Sequence, residues 1–275
     1  MGVATASFTA RRERYRQEFE FTADGVFSVT VLPLGVPRAG VVICPSLYED
    51  SMRNSRREVL LARRLAALGV AVGRFYYRGT GYSMGVNNDL AWPGILEDAN
   101  DAWARLRARV GDDVPFGLMS ARFGSLVAAA LASRQPKCPI ALWEPVTRGH
   151  AYVRDLARME RVALLTGAHR EPQPVAPPIP PSLASEIGGL SLDELAGGGL
   201  GPVLVVRLGR AASAGAQSDD EEVAGLSSSV EHREYPEEGT WWAGTRAETR
   251  DSLDPWPLID DTASWLYRSL EASSR

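Results

Sequence analysis

Ser120-Ala-Arg-Phe-Gly124 is the stretch whose residue types and spacing bear most directly on chemistry. It lies where the apolar run Val114–Met119 gives way to an Ala/Leu-rich segment. A strand that bends sharply into a helix needs small residues flanking its apex, because helix and strand backbones meet closely there, and it displays the apex side chain. Ser120 and Gly124 form the small pair, so the apex is Arg122. A guanidinium stays protonated and only donates, so it cannot attack a carbonyl. Its chemistry is to receive negative charge, as a carboxylate, a phosphate or an enolate oxygen. The N–H of Phe123, just past the apex at a helix start, and an N–H at Leu47 in the loop after Cys44 offer the same oxygen further donors.

Two serines compete for the role that Arg122 cannot fill. Shifting the frame back makes Ser120 the nucleophile, but Leu118 and Arg122 then occupy the positions that must be small. Gly81-Tyr-Ser-Met-Gly85 matches Gly-x-Ser-x-Gly as text, yet it leads into Val-Asn-Asn-Asp rather than an apolar helix, and reads as a glycine-rich turn after a strand.

Other groups converge on the same edge. Glu49 and Glu144 each come just after the carboxyl end of a predicted strand. Either can serve as a general base if burial raises its pKa, an effect that Arg122 opposes. Either can instead pair with Arg122 and hold loops together. Tyr48 can donate to a substrate oxygen, and Trp241 and Trp242 can wall an apolar pocket or pack in the core. Arg53, Arg56 and Arg57 read as a solvated helix face.

The elements that position these groups follow from periodicity. Arg14–Phe21 and Val26–Leu34 alternate around Ala23-Asp-Gly25 and predict an antiparallel hairpin at a sheet edge. Val41–Pro45 and Val70–Phe75 read as buried strands, and Val114–Met119, Pro139–Trp143, Pro202–Leu208 and Val230–Tyr235 as further strands of the sheet. Ser46–Asn54 reads as a polar loop. Helices are predicted over Ser55–Leu68, Trp92–Val110, Arg122–Arg134, Arg148–Leu165, Asp219–Leu226 and Pro257–Leu270. Such alternation implies an α/β fold with a mostly parallel sheet flanked by helices on both faces. Glu171–Ser182 carries six prolines and cannot be helical. Residues 145–199 are expected to be a lid or linker inserted in a single domain over residues 1–275.

Composition narrows the partners. The 275 residues carry a net charge of −4 and 45% hydrophobic residues, enough for a large core and without the field that gathers nucleic acid or an anionic membrane. Cys44 and Cys138 sit in or beside apolar runs and read as buried thiols, and the three histidines are scattered, so no metal is expected. No phosphate-loop or dinucleotide fingerprint is present, and no cofactor is expected. No segment reads as a signal peptide or a membrane span, which makes a soluble, cytoplasmic protein the expectation and leaves the oligomeric state open.

From Val26 to Leu270 the order of elements resembles the α/β-hydrolase superfamily. More narrowly, Pro45-Ser-Leu-Tyr-Glu-Asp-Ser-Met-Arg-Asn-Ser-Arg-Arg57, Arg78-Gly-Thr-Gly-Tyr-Ser83, Arg122-Phe-Gly124 and Leu142-Trp-Glu-Pro-Val146 are similar to the exosortase A system-associated hydrolases. The resemblance implies that fold, with an elbow apex that can be arginine. It also implies where a Ser-His-Asp triad would lie, and the sequence departs from it. No carboxylate follows Val203–Leu208 until Asp219, and no histidine follows Tyr235. Without an imidazole near neutral pKa, a serine has no ordinary way to lose its proton and return it.

Three functions remain: an isomerase- or epimerase-like protein acting on a small molecule or peptide with an anionic or carbonyl group, an ester or thioester hydrolase with an unconventional pair such as Ser120 and Glu144, and a non-catalytic binding or scaffolding protein.

Overall fold

Nine strands among the described residues build the sheet that sets the site, the central ones wholly buried and most of those entered or left at a Gly or Pro. They are β1 (Ala6–Phe8), β2 (Tyr15–Phe21), β3 (Phe27–Pro33), β4 (Ala39–Cys44), β5 (Val70–Phe75), β6 (Phe116–Ala121), β7 (Ile140–Trp143), β8 (Val203–Leu208) and β9 (Val230–Tyr235). The computed structural model describes residues 6–8, 15–135, 137–166, 179–197, 199–208, 222–235 and 255–273. Among them, one sheet runs in the order β1-β2-β3-β5-β4-β6-β7-β8-β9. Strands β1, β2, β3 and β5 pair antiparallel in turn, and β5, β4, β6, β7, β8 and β9 pair parallel. The predicted hairpin is the β2–β3 pair, turned at Gly25 (φ 80°). It is not the edge, because β1 lies outside it.

Side chains alternate along each strand into two cores. Val41, Ile43, Met119, Ala121 and Trp143 pack under α1 (Tyr48–Ala67) and the last helix, α7 (Trp256–Ser273). Val42, Cys44, Leu118 and Leu142 pack on the other face under α2 (Trp92–Val110) and α3 (Gly124–Ala132). Both thiols are buried, which raises their pKa, that of Cys138 to about 12. Between β7 and β8 the chain forms α4 (Gly149–Thr166), α5 (Pro181–Gly188) and α6 (Leu192–Ala196).

Most predicted elements lie where periodicity puts them, and the differences have physical reasons. Helix α1 starts at Tyr48 rather than Ser55, so the stretch read as a polar loop is its first two turns. The inward face there is Asp50, Asn54 and Glu58, all buried, and a polar buried face carries no apolar period. Strand β6 ends at Ala121 rather than Met119, since the small residues read as hinge still pair with β4 and β7. Pro181, placed in the non-helical proline stretch, opens α5 in the first turn, where its missing N–H costs nothing. The helix expected over Asp219–Leu226 is represented by a helical turn at 222–224. Most of Glu171–Ser182 and both Trp241 and Trp242 lie outside the described residues.

Candidate functional site

Arg122, with Phe123, links β6 to α3 and has φ 49°, a left-handed backbone that a Cβ makes costly. Three contacts impose it. Its N–H donates to the Trp143 carbonyl at 2.9 Å, its carbonyl accepts from Ser125 N–H at 2.9 Å, and the Ser46 hydroxyl donates to the Ala121 carbonyl at 2.5 Å. Gly124 is obligatory, because a Cβ there would lie 2.3 Å from the Cys44 carbonyl oxygen and 3.0 Å from that of Pro45. Ser125 locks the other side, its hydroxyl donating to the Val146 carbonyl and accepting from Val146 N–H, both at 2.9 Å. The bend is therefore built as the spacing of Ser120 and Gly124 implies, with the guanidinium at its apex.

That guanidinium is 7% exposed and clasped from two helices. Nε lies 3.5 Å from Asp50 Oδ2 in the first turn of α1, and Nη2 lies 3.8 Å from Asp155 Oδ2 of α4. The Tyr152 ring of α4 lies under it, 5.8 Å from Cζ. Tyr152 stacks on Phe123 at 5.7 Å, and Phe123 meets Tyr77 and Trp92 edge-on at 6.5 and 6.2 Å. The apex cation thus rests on an aromatic wall, facing the first turn of α1 through Asp50 and standing two residues ahead of the start of α3, with neither helix start capped by a side chain.

Asp50 is the carboxylate that spacing did not single out. It is 0% exposed, and no close hydrogen bond fixes either oxygen, its nearest polar groups being the Arg122 guanidinium and the Tyr152 hydroxyl. Burial pushes its pKa up, against the downward pull of Arg122 and then Arg53. The hydroxyls of Tyr48 and Tyr152 are likewise buried, and burial raises both, the proximity of Asp50 adding to the rise at Tyr152. A helical period would have found Asp50: with Asn54, Glu58, Leu61 and Leu65 it forms one stripe at spacings of four and three.

The two carboxylates singled out from sequence are placed otherwise. Glu49 is exposed on α1 and pairs with Arg53 at 2.5 Å. Glu144 is buried after β7 with φ 47°; it accepts from Leu208 N–H and pairs with Arg207 Nη1 at 3.4 Å. Burial raises its pKa, opposed by those two partners and then by Arg122. The counter-ion of Arg122 on the sheet side is therefore Asp50 rather than Glu49 or Glu144. Tyr48 (φ 53°) does sit at this edge, half-buried.

The competing serines are accounted for. Ser83 lies in a turn shaped by Gly79, Gly81 and Gly85, all at positive φ; its hydroxyl donates to the Tyr76 carbonyl at 2.6 Å and accepts from Phe27 N–H at 2.8 Å. Ser120 is fully buried on the α2/α3 side of the sheet, its hydroxyl without a hydrogen bond. His150 and His232 are exposed, on α4 and on edge strand β9. Among the described residues no group of three or more His, Cys, Asp or Glu is placed to hold a metal, and no helix is long and apolar enough to cross a membrane. A groove of about 720 Å³ lined by Pro33–Arg38 and Ala66–Gly69 lies at the opposite, amino edge of β4, away from every polar group described above.

No family model matches the sequence, and no curated protein matches it. Solved structures do. Esterase B from Lactobacillus rhamnosis, solved with a C6-C4 SN3 inhibitor, superimposes with a TM-score of 0.59 at 18% identity, over 94% of this chain and 87% of that one. DcsB in complex with its substrate analogue gives 0.61 at 15%, over 94% and 99%. A cold-adapted esterase from an Arctic intertidal metagenomic library gives 0.54 at 15%, over 98% and 99%. The protein has the α/β-hydrolase fold, which it shares with these solved structures.

Proposed function

We propose that this is an α/β-hydrolase-fold protein that works without a Ser-His-Asp triad. In this reading it binds an acidic or carbonyl-containing small molecule or peptide at Arg122 and assists a non-hydrolytic, isomerase- or epimerase-like step in a biosynthetic pathway. The observation that carries the reading is the near-buried Arg122 guanidinium at the elbow apex, between the amino termini of α1 and α3. There a carboxylate or developing enolate oxygen would meet the fixed cation and the N–H groups of Phe123 and Leu47 at once, in a site that needs no reorganisation to receive charge. Tyr48 would add a hydroxyl. The exosortase-associated branch and a lid over residues 145–199 belong to this reading, the latter supported by the contacts of Tyr152 and Asp155 with Arg122.

Arg122→Ala tests it: thermal-shift screening against carboxylic and oxo acids should give a raised midpoint for the parent protein and none for the variant. Equal shifts in both would refute the reading. The hydrolase alternative, supported by the esterase-like architecture, predicts fluorophosphonate labelling. Our reading expects Ser46, Ser83 and Ser120 to stay unlabelled.

A further inference from the structure

The Arg122 site holds a second component besides its cation. Asp50 is wholly buried, and its charge is held loosely, by the Arg122 guanidinium at 3.5 Å without a close bidentate fork and by weaker pulls from Arg53 and the Tyr152 hydroxyl. A carboxylate kept in that condition is costly when charged unless the counter-ion stays with it. The groups that face it are few. From its own helix come Tyr48 and Arg53, the latter shared with exposed Glu49; from the elbow, Arg122; from α4, Tyr152, with Asp155 on the far side of Arg122. Any anion that takes the guanidinium removes the main charge that keeps Asp50 ionised. Two negative groups cannot share one buried cation without a proton between them.

Resting on the anion-binding reading of Arg122, we propose that Asp50 is the proton acceptor of this site: a ligand oxyanion displaces Asp50 from Arg122, and Asp50 takes up one proton as it leaves. With a ligand that carries a hydrogen on the carbon next to its carbonyl, that proton comes from the ligand. The C–H bond breaks, an O–H bond forms on Asp50, and the electron pair moves to the carbonyl oxygen, which becomes the enolate held by Arg122. Where the ligand also carries a double bond beyond that carbon, delivery of the proton to the far end of the delocalised enolate restores the carboxylate and shifts the double bond, an isomerisation with no other reactant. Glu49 and Glu144 are excluded from this step by their own partners, Arg53 for one and Leu208 N–H with Arg207 for the other.

Acetate, the smallest carboxylate that can reach a nearly closed site, is the probe. Titrations of the full chain across pH 5 to 9 are followed by NMR with ¹³C-labelled aspartate carboxyls, the Asp50 signal being assigned by its loss in Asp50→Asn. Binding should move that signal to its protonated position, and above the pKa of the free protein affinity should fall about tenfold per pH unit, the slope of one-proton uptake. Asp50→Asn, neutral at every pH, should bind acetate at least tenfold more tightly at pH 8 and without pH dependence. An Asp50 signal that stays ionised in the bound parent overturns the proposal, as does an Asp50→Asn variant that gains no affinity. Acetate binding that survives Arg122→Ala refutes instead the reading of Arg122 itself, so the two failures are told apart.

Discussion

Arg122 and Glu144 end adjacent parallel strands in the same left-handed backbone, with φ of 49° and 47°, and are spent differently. Glu144 is saturated: its carboxylate caps Leu208 N–H at the end of β8 and pairs with Arg207, tying two strand ends together. Arg122 meets Asp50 and Asp155 at 3.5 and 3.8 Å, distances at which charge attracts but no tight fork forms. Equal backbone strain therefore has unequal use. At Glu144 it stores rigidity, and at Arg122 it holds a charge where a ligand can compete for it.

Matched glycine variants separate these uses with the largest effect. Glycine relieves the left-handed strain at either position by about 1–2 kcal/mol. At Glu144 this is outweighed, because breaking a buried pair costs about 3–5 kcal/mol and leaves Leu208 N–H and Arg207 uncompensated. Glu144→Gly should thus lower stability in urea unfolding by about 2–3 kcal/mol, while Arg122→Gly stays within about 1 kcal/mol of the parent, since Asp50 can take a proton and become neutral. Equal losses would mean that Arg122 is as structural as Glu144.

Gly124→Ala asks whether the bend itself can give. Its new Cβ would meet main-chain oxygens of Cys44 and Pro45, which cannot swing aside as a side chain can. A loss of about 3 kcal/mol is expected, the upper end for overpacking, read as a lowered thermal midpoint. A neutral result would show that β4 and α3 are less tightly apposed than this geometry requires.

How far the site was legible depends on what its residues are buried against. Val70–Phe75 and Trp92–Val110 were readable to the residue, because their inward faces are apolar and their ends carry Gly or Pro. The bend was readable from Ser120 and Gly124, since close backbone approach admits only small residues. Asp50 was not, because the first turns of α1 bury Asp50, Asn54 and Glu58, and a period of polar residues looks like a loop to any test keyed on hydrophobicity. Tyr152 and Asp155 were hidden for a different reason: what brings them to Arg122 is the return of α4 over the elbow, which no local pattern encodes. Trp241 and Trp242, expected to wall the pocket, lie outside the described residues.

Asp50 and Glu144 can also be set apart by pH. Burial raises the folded-state pKa of each, so the folded chain keeps a proton that the unfolded chain has already released, and stability falls as pH rises from near 4 through the folded value. Below the unfolded pKa both states are protonated and neither group contributes. Asp50→Asn removes that loss, so the variant should be more stable than the parent at pH 8 by about 1–2 kcal/mol, one pKa unit being worth about 1.4 kcal/mol, and nearly equal to it at pH 4. Glu144→Gln should gain less at pH 8, since its amide oxygen still accepts from Leu208 N–H but its amide nitrogen turns a donor toward Arg207. Denaturant midpoints at the two pH values decide between them.

The smallest effect concerns the other bend at positive φ, the turn at Gly79, Gly81 and Gly85, where glycine removes the strain that Arg122 and Glu144 bear. The charge beside it, Arg78, is paired with Glu97 and Asp98, and Ser83 is consumed within the fold, donating to the Tyr76 carbonyl and accepting from Phe27 N–H. Ser83→Ala should cost about 1 kcal/mol per lost hydrogen bond, seen as a modest fall in midpoint, and should leave acetate binding at Arg122 unchanged. Loss of binding in this variant would mean that the glycine turn and the arginine bend act as one unit. Unchanged binding would place the ligand chemistry at the strained turn alone, where a backbone held against its preference keeps a cation facing a carboxylate that can let it go.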